Sequence, residues 1–395
     1  MKKIVVTLSF LFSFFALFSQ TGLSALETEG TGFYKTGKTT EAIESFKKAL
    51  KENPSSLYSL NALSNLYLLR NQNQQAYEVA DKGLKLSNGA ANFVVVKAKA
   101  SIGINKPQEA ITLIDAYLKK AKPDFMIFFV KATAFSALND QQQAISFFSQ
   151  SIAENADFPD AYLERGKSFA AIERYPQALK DYDKYISLIN DNADAYNYRG
   201  MIFYKTNMPD QAIADYTKSL QVDPRQKYAL SNRGAVYRDL NETAKAIADF
   251  NASIGIDPTD PNPYFEKSIL YDRQKDFSNA LQMINKAIEL QPSWSIYFGE
   301  QSKILLALDK TTEGLAAAEK ALQLDPKNPD GYLFKTSAYY NMEKWDDALQ
   351  SANAGIAAIP DYYLYYSLRA AVYRKKGNTA LADADDAKAK LLSTK

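Results

Sequence analysis

Five prolines, Pro224, Pro258, Pro292, Pro326 and Pro360, stand 34 residues apart without a slip. A fixed period of that length marks a chain built by stacking one supersecondary unit. The usual reading of a 395-residue chain as about two or three domains therefore gives way to a repeat architecture. Extended backwards, the ruler divides residues 23 to 395 into eleven repeats beginning at 23, 57, 91, 125, 159, 193, 227, 261, 295, 329 and 363.

Positions within a repeat are numbered as slots one to thirty-four. Slot eight never holds a large residue (Gly30, Ser64, Ala98, Gly166, Gly234, Thr336 and so on), and slot twenty is alanine in all repeats but one, where it is Gly314. Small residues in register on two segments imply two helices that cross closely, because a larger side chain would overpack the contact. Slot eleven is aromatic in nine of eleven repeats, for example Phe203, Tyr237 and Tyr271, and fills the space beside that crossing. Slot fifteen is Gly or Asn in seven repeats, among them Gly37, Asn71 and Gly377, the residues that tolerate the left-handed conformation ending a helix. Each repeat therefore reads as helix A, a tight turn, helix B and a proline-assisted turn into the next.

The stretch YNYRGMIFYKTNMPDQAIADYTKSLQVDP, residues 196 to 224, carries all of these features and resembles the tetratricopeptide repeat. The resemblance covers the chain from residue 21 to its end, and departs from the pattern at Ser101, Leu305 and Gly314. It implies an all-α, right-handed superhelical solenoid of about eleven helix-turn-helix repeats that is continuous from residue 21 to 395. Such solenoids bind partner proteins or peptides in the concave groove lined by helix A. The carboxylate-holding variant of that groove, with lysine in slot five and asparagine in slot nine, has no match here; Asn65, the one slot-nine asparagine, accompanies Asn61.

Slots four, seven, eight and eleven share the face of helix A that packs inward, so a basic residue in slot seven needs a partner. Slot seven is arginine in four repeats (Arg165, Arg199, Arg233, Arg369), and slot twenty-three is aspartate in those four and no others (Asp181, Asp215, Asp249, Asp385). Where slot seven is lysine, slot twenty-three is Leu113, Phe147, Met283 or Ser351. An ion pair between helices A and B of one repeat follows. Its recurrence in the same slots favours a structural tie over a row of catalytic or ligand-binding charges.

The opposite side of helix A, slots two, five, nine, twelve and thirteen, supplies the binding candidates. In repeats three and four these are Val95, Ile102, Met126 and Phe129, either an apolar contact patch or buried packing. In repeats five to eight they are charged and polar, with Asp160, Lys167, Asp194, Asn197, Tyr204, Lys205, Arg238, Asp239, Asp272 and Arg273, either a solvated face or a selective recognition surface.

The N-terminus, Lys2-Lys3, then apolar Ile4 to Phe18, then SQTGLSA, has the layout of a secretory signal peptide over residues 1–20, cleaved at or before about Gly22 because the first repeat needs Leu26, Gly30 and Phe33. An apolar run of fifteen residues falls short of the ~20 that span a bilayer, so no integral span is expected after cleavage, an uncleaved anchor being the alternative. The protein is expected in the periplasm or outside the cell, associated with a bacterial envelope.

The chain has no cysteine and no histidine, which removes disulfides, thiolate nucleophiles, Cys or His zinc sites and every triad with an imidazole base. The acid pairs Asp346-Asp347 and Asp385-Asp386 are neighbours on helices and point about 100 degrees apart, so they do not converge on a substrate. No enzyme, no metal and no small-molecule cofactor are expected. Without its first 20 residues the chain carries equal numbers of basic and acidic side chains, so nucleic acid is not an expected partner. The expected function is a scaffold for a protein or peptide ligand; the alternatives are a self-associating homo-oligomer of the envelope and a glycan-binding or polysaccharide-export scaffold.

Overall fold

The computed structural model describes residues 22 to 394, so the expected signal peptide, residues 1–20, lies outside the described residues. These residues form 22 α-helices and no strand, in two compact units that divide between Ile202 and Phe203. In the first unit, helix A and helix B form hairpins α1 (Ala25–Lys35) with α2 (Thr39–Glu52), α3 (Leu57–Leu69) with α4 (Asn73–Leu86), and α5 (Ala91–Gly103) with α6 (Pro107–Leu118). The next two are α7 (Phe125–Ala137) with α8 (Gln141–Glu154), and α9 (Pro159–Ala171) with α10 (Tyr175–Leu188). Helix α11 (Ala193–Lys205) carries the division. In the second unit, α12 (Pro209–Val222) precedes the hairpins α13 (Lys227–Asp239) with α14 (Thr243–Ile256), and α15 (Asn262–Arg273) with α16 (Phe277–Leu290). Then come α17 (Ser295–Ala307) with α18 (Thr311–Leu324), α19 (Pro329–Asn341) with α20 (Trp345–Ala358), and α21 (Tyr363–Lys375) with α22 (Thr379–Ser393). The boundaries follow the 34-residue ruler throughout. No helix among the described residues is long and apolar enough to cross a membrane.

Each A-to-B turn is closed the same way. The slot-sixteen N–H donates to the slot-eleven carbonyl, as from Lys38 to Phe33 (2.9 Å), Gln72 to Tyr67 (2.8 Å), Arg174 to Phe169 (2.9 Å) and Lys344 to Tyr339 (2.9 Å). This reverse bond satisfies a carbonyl that the helix end would orphan, and it requires a left-handed residue at slot fifteen. All eleven repeats have one. Gly37, Gly377, the five asparagines and Asp309 (φ 59) tolerate it, but Glu173 (φ 59), Lys275 (φ 60) and Glu343 (φ 59) also adopt it although their side chains disfavour it. At those three the packing of the hairpin imposes the turn.

The helix crossing is as tight as the small residues require. Every slot-eight and slot-twenty residue is buried. A third slot completes the crossing. Slot twenty-four of helix B is aromatic opposite a slot-eight glycine, and a Cβ on Gly166 would sit 2.8 Å from the Tyr182 ring and one on Gly234 2.7 Å from Phe250. Where slot eight is Ser64, Ser302 or Thr336, slot twenty-four shrinks to Ala80, Ala318 or Ala352, although Ser268 keeps Ile284 opposite.

Within each unit the A helices of successive repeats also touch one another: α3, α5, α7 and α9 in the first, and α13, α15, α17, α19 and α21 in the second. The B helices make no comparable contact with one another among the described residues. The A helices therefore form the more closely spaced inner wall of each unit, on which the candidate binding slots lie.

Candidate functional site

Three of the proposed ion pairs are bidentate. Arg165 donates from Nε and Nη2 to the two carboxylate oxygens of Asp181 at 2.8 and 2.7 Å, Arg233 to Asp249 at 2.8 and 2.8 Å, and Arg369 to Asp385 at 2.7 and 2.7 Å. All three aspartates are buried. The hydrogen bond to Asp249 raises the Arg233 guanidinium above its ordinary value, and Asp385 does the same to Arg369. Arg199 and Asp215, the fourth pair, belong to different units; inside the first unit, Arg199 Nη1 donates to Asp183 at 2.6 Å.

That last contact exposes a tie that the sequence reading missed. In every repeat from the third to the eleventh, the slot-seven side chain also reaches slot twenty-five of the preceding helix B. The arginines use the remaining Nη1, to Ser149 Oγ (3.0 Å), Thr217 Oγ1 (3.0 Å) and Asn353 Oδ1 (2.6 Å). Lysine or glutamine makes this bond alone: Lys97 to Asp81 (2.8 Å), Lys131 to Asp115 (2.6 Å), Lys267 to Asn251 (2.8 Å), Gln301 to Asn285 (2.8 Å) and Lys335 to Glu319 (3.0 Å). Slot seven thus fastens each repeat to its predecessor, and arginine fastens its own hairpin as well. The signal was present as hydrogen-bond acceptors recurring sixteen residues before each slot-seven donor, across the repeat boundary.

The apolar candidates of repeats three and four are packing residues, which corrects the alternative of a contact patch. Val95 and Met126 are each 4% exposed and share one core cluster with Val94, Ala98 and Ile127. Ile102 and Phe129 pack against the same cluster, and the Phe129 ring lies 5.5 Å from Phe148 and 5.0 Å from Phe158. The physical reason is local. Phe158 precedes α9 and its ring lies against both Phe125 and Phe129, which gives the slot-five ring of repeat four an apolar neighbour. Asn197 is also buried, its Nδ2 3.9 Å from the Met201 sulfur, while Lys205 is exposed.

Of the remaining candidates, Asp160, Lys167 and Asp194 lie in the first unit, where Lys167 pairs with Glu164 at 2.7 Å, and Tyr204, Arg238, Asp239, Asp272 and Arg273 come together on the inner wall of the second. The Tyr204 hydroxyl donates to Asp239, which also accepts from Arg238 Nε at 2.9 Å and has Arg273 Nη2 at 3.5 Å. Arg238 reaches on with Nη1 to Glu266, and Arg273 Nη1 donates to the Arg238 carbonyl at 3.2 Å. One repeat further, Lys303 donates to Asp272 at 2.6 Å and stands 3.6 Å from Glu300 Oε2. Glu300 Oε1 is buried and accepts no hydrogen bond. Asp330, on α19, adds a further carboxylate near Glu300.

Three cations thus serve five carboxylates, and the electrostatics records the deficit. Burial raises Glu300 and Asp330 above the usual carboxylate range, with Lys303 acting against it. Burial also raises Glu266, despite Arg238. Asp239 goes the other way, because the hydrogen bonds from Arg238 and Tyr204 outweigh its burial. Burial, then the bond to Asp239, pushes Tyr204 up to about 12. Glu266 and Glu300 both occupy slot six, which the sequence reading left out of the wall although it lies one turn from slots two and nine and two turns from slot thirteen. Among the described residues no group of His, Cys, Asp or Glu is placed to hold a metal ion.

Four family models, each describing the tetratricopeptide repeat, match residues 28–91 and 129–198, 193–226, 228–260 with 261–293, and 305–372. A comparison with curated proteins found no match. Among solved structures, a tetratricopeptide repeat protein from Parabacteroides merdae ATCC 43184 is similar with TM-score 0.52 and 15% identity, over 63% of this chain and 98% of that one. The APC/C hetero-tetramer Cut9-Hcn1 is similar with TM-score 0.50 and 12% identity, over 94% of each chain. At those identities the likeness is one of fold. The period, the small-residue crossing and the left-handed turn repeated eleven times agree with the family models, and the chain belongs to the tetratricopeptide repeat family.

Proposed function

We propose that this protein is an exported, non-catalytic scaffold that binds a partner protein or peptide along the inner wall of its second unit, from Tyr204 to Asp330. The observation that carries the reading is the buried, unbonded Oε1 of Glu300 in a row where cations are outnumbered. A buried carboxylate oxygen without a donor costs free energy, and a lysine or arginine side chain from a partner would supply both the donor and the missing charge. Export rests on the charged start and apolar run of residues 2 to 18. Affinity capture from envelope extract, comparing the native chain with the Glu300→Gln, Asp330→Asn double variant, tests the wall. A partner held by the first and lost from the second supports the reading, whereas equal retention by both removes it. N-terminal sequencing of the mature protein tests export, which predicts a start near residue 21.

A second copy of the chain is the alternative occupant of its surface. It is favoured by Leu381 and Leu391 on α22, which are 51% and 57% exposed. Light scattering on the mature protein separates the two readings.

A further inference from the structure

Repeat ten departs from the tie pattern, and a cleft marks the departure. In repeats five, seven and eleven an arginine and an aspartate fill the space between slots seven and twenty-three. In repeats three, four and eight a lysine faces Leu113, Phe147 or Met283 instead, and in repeat four the Lys131 ammonium sits 4.1 Å from the centre of the Phe147 ring. Repeat ten alone sets a lysine, Lys335, opposite a side chain as small as Ser351, whose hydroxyl is engaged by Thr336 Oγ1 at 3.0 Å.

The space left over is a cleft of about 220 Å³, open to solvent along one side, between α18, α19 and α20. Leu322, Tyr332, Tyr339 and Ala354 give it apolar surface, and Lys335 and Ser351 give it polar groups. Asp347 and Gln350 are exposed where they line it. Lys335 spends one of its three donors on Glu319, at 3.0 Å, and that carboxylate is 48% exposed, so the pair is screened by water. The volume equals that of about seven water molecules, enough for an aromatic ring and a carboxylate.

We propose that this cleft binds a small monocarboxylate with an aromatic or short aliphatic body. The anion takes the place that the slot-twenty-three aspartate holds in repeats five, seven and eleven, against Lys335, and the body lies between Tyr332 and Tyr339. The site is independent of the inner wall, because slot seven faces helix B.

Titration of the full chain with sodium benzoate, read by NMR shifts of the Tyr332 and Tyr339 rings, tests the proposal. The expected result is a saturable shift with a midpoint on the order of 1 mM that weakens with added salt. Ser351→Asp puts a carboxylate in the slot that Asp385 fills in repeat eleven, beside Lys335, and in a variant whose helical circular dichroism matches the native chain it weakens benzoate binding at least about tenfold. Lys335→Gln places in repeat ten the residue that Gln301 provides in repeat nine, so the tie is preserved and binding is lost. The proposal is overturned by no saturable shift in the native chain, by benzyl alcohol binding as well as benzoate, or by undiminished binding in a folded Ser351→Asp variant.

Discussion

The inner walls of the two units use the same helix face for opposite ends. In repeats three and four, Val95 and Met126 are buried and Phe129 is half-buried in one apolar cluster, although burial lowers the Lys99 ammonium on the same wall below its ordinary value, with Asp160 acting against it. From repeat seven to repeat ten, the wall carries Arg238, Glu266, Lys303, Glu300 and Asp330, and a buried carboxylate oxygen stays unbonded. The slot-seven ties show that this is no general tolerance for loose charge. Arg165, Arg233 and Arg369 each use all three outward nitrogens of the guanidinium. The three forks are fully bonded, whereas Glu300 leaves one buried oxygen without a donor, and that contrast is what the proposed partner contact rests on.

The largest expected effect would break the comparison from the first unit. Phe129→Asp places a charge between Phe148 and Phe158, and should lower stability in urea unfolding by about 4 kcal/mol; a loss under about 1 kcal/mol would return this wall to the surface. Asp181→Ala leaves Arg165 buried without its fork and should cost about 3 kcal/mol, measured the same way.

Glu300→Gln sharpens the other side. Burial raises the Glu300 carboxyl above its ordinary value of 4.5, so its neutral form suits the folded state; the stability this gives is present at low pH and lost as pH rises through the raised value. The variant should therefore match the native chain near pH 4 and exceed it by about 1 kcal/mol at pH 7, while an advantage that shrinks with pH would contradict the unpaired carboxylate. Glu343→Gly relieves a left-handed turn and should gain about 0.5 kcal/mol in thermal unfolding. Asp183→Ala, which removes a carboxylate that is 61% exposed beside Arg199, should change stability by less than about 0.5 kcal/mol, and a loss near that of Asp181→Ala would erase the distinction between buried forks and surface ties.

The fold was legible because a repeat multiplies its own signal. Gly200 or Ala212 alone says little, but a small residue in one slot eleven times leaves only a close helix crossing as its explanation. The Arg–Asp forks were legible for the same reason, since Asp181, Asp249 and Asp385 appear only where the arginine does. The wall was read in part: Tyr204, Arg238, Asp272 and Arg273 were candidates, whereas Glu266 and Glu300 were missed because slot six was assigned to neither face. Val95 and Met126 misled because periodicity places a residue on a helix face without saying what lies across from it.

By itself, the sequence determined the period, the helix pairs, the tight crossings and which arginines need a carboxylate, all consequences of spacing along one chain and of side-chain size. Tertiary structure alone decided that Phe158 packs on Phe129 of repeat four, that slot seven reaches the preceding repeat, and that Glu300 Oε1 is buried without a donor. These depend on distances between side chains of different repeats, where a displacement of an ångström or two makes or breaks a hydrogen bond.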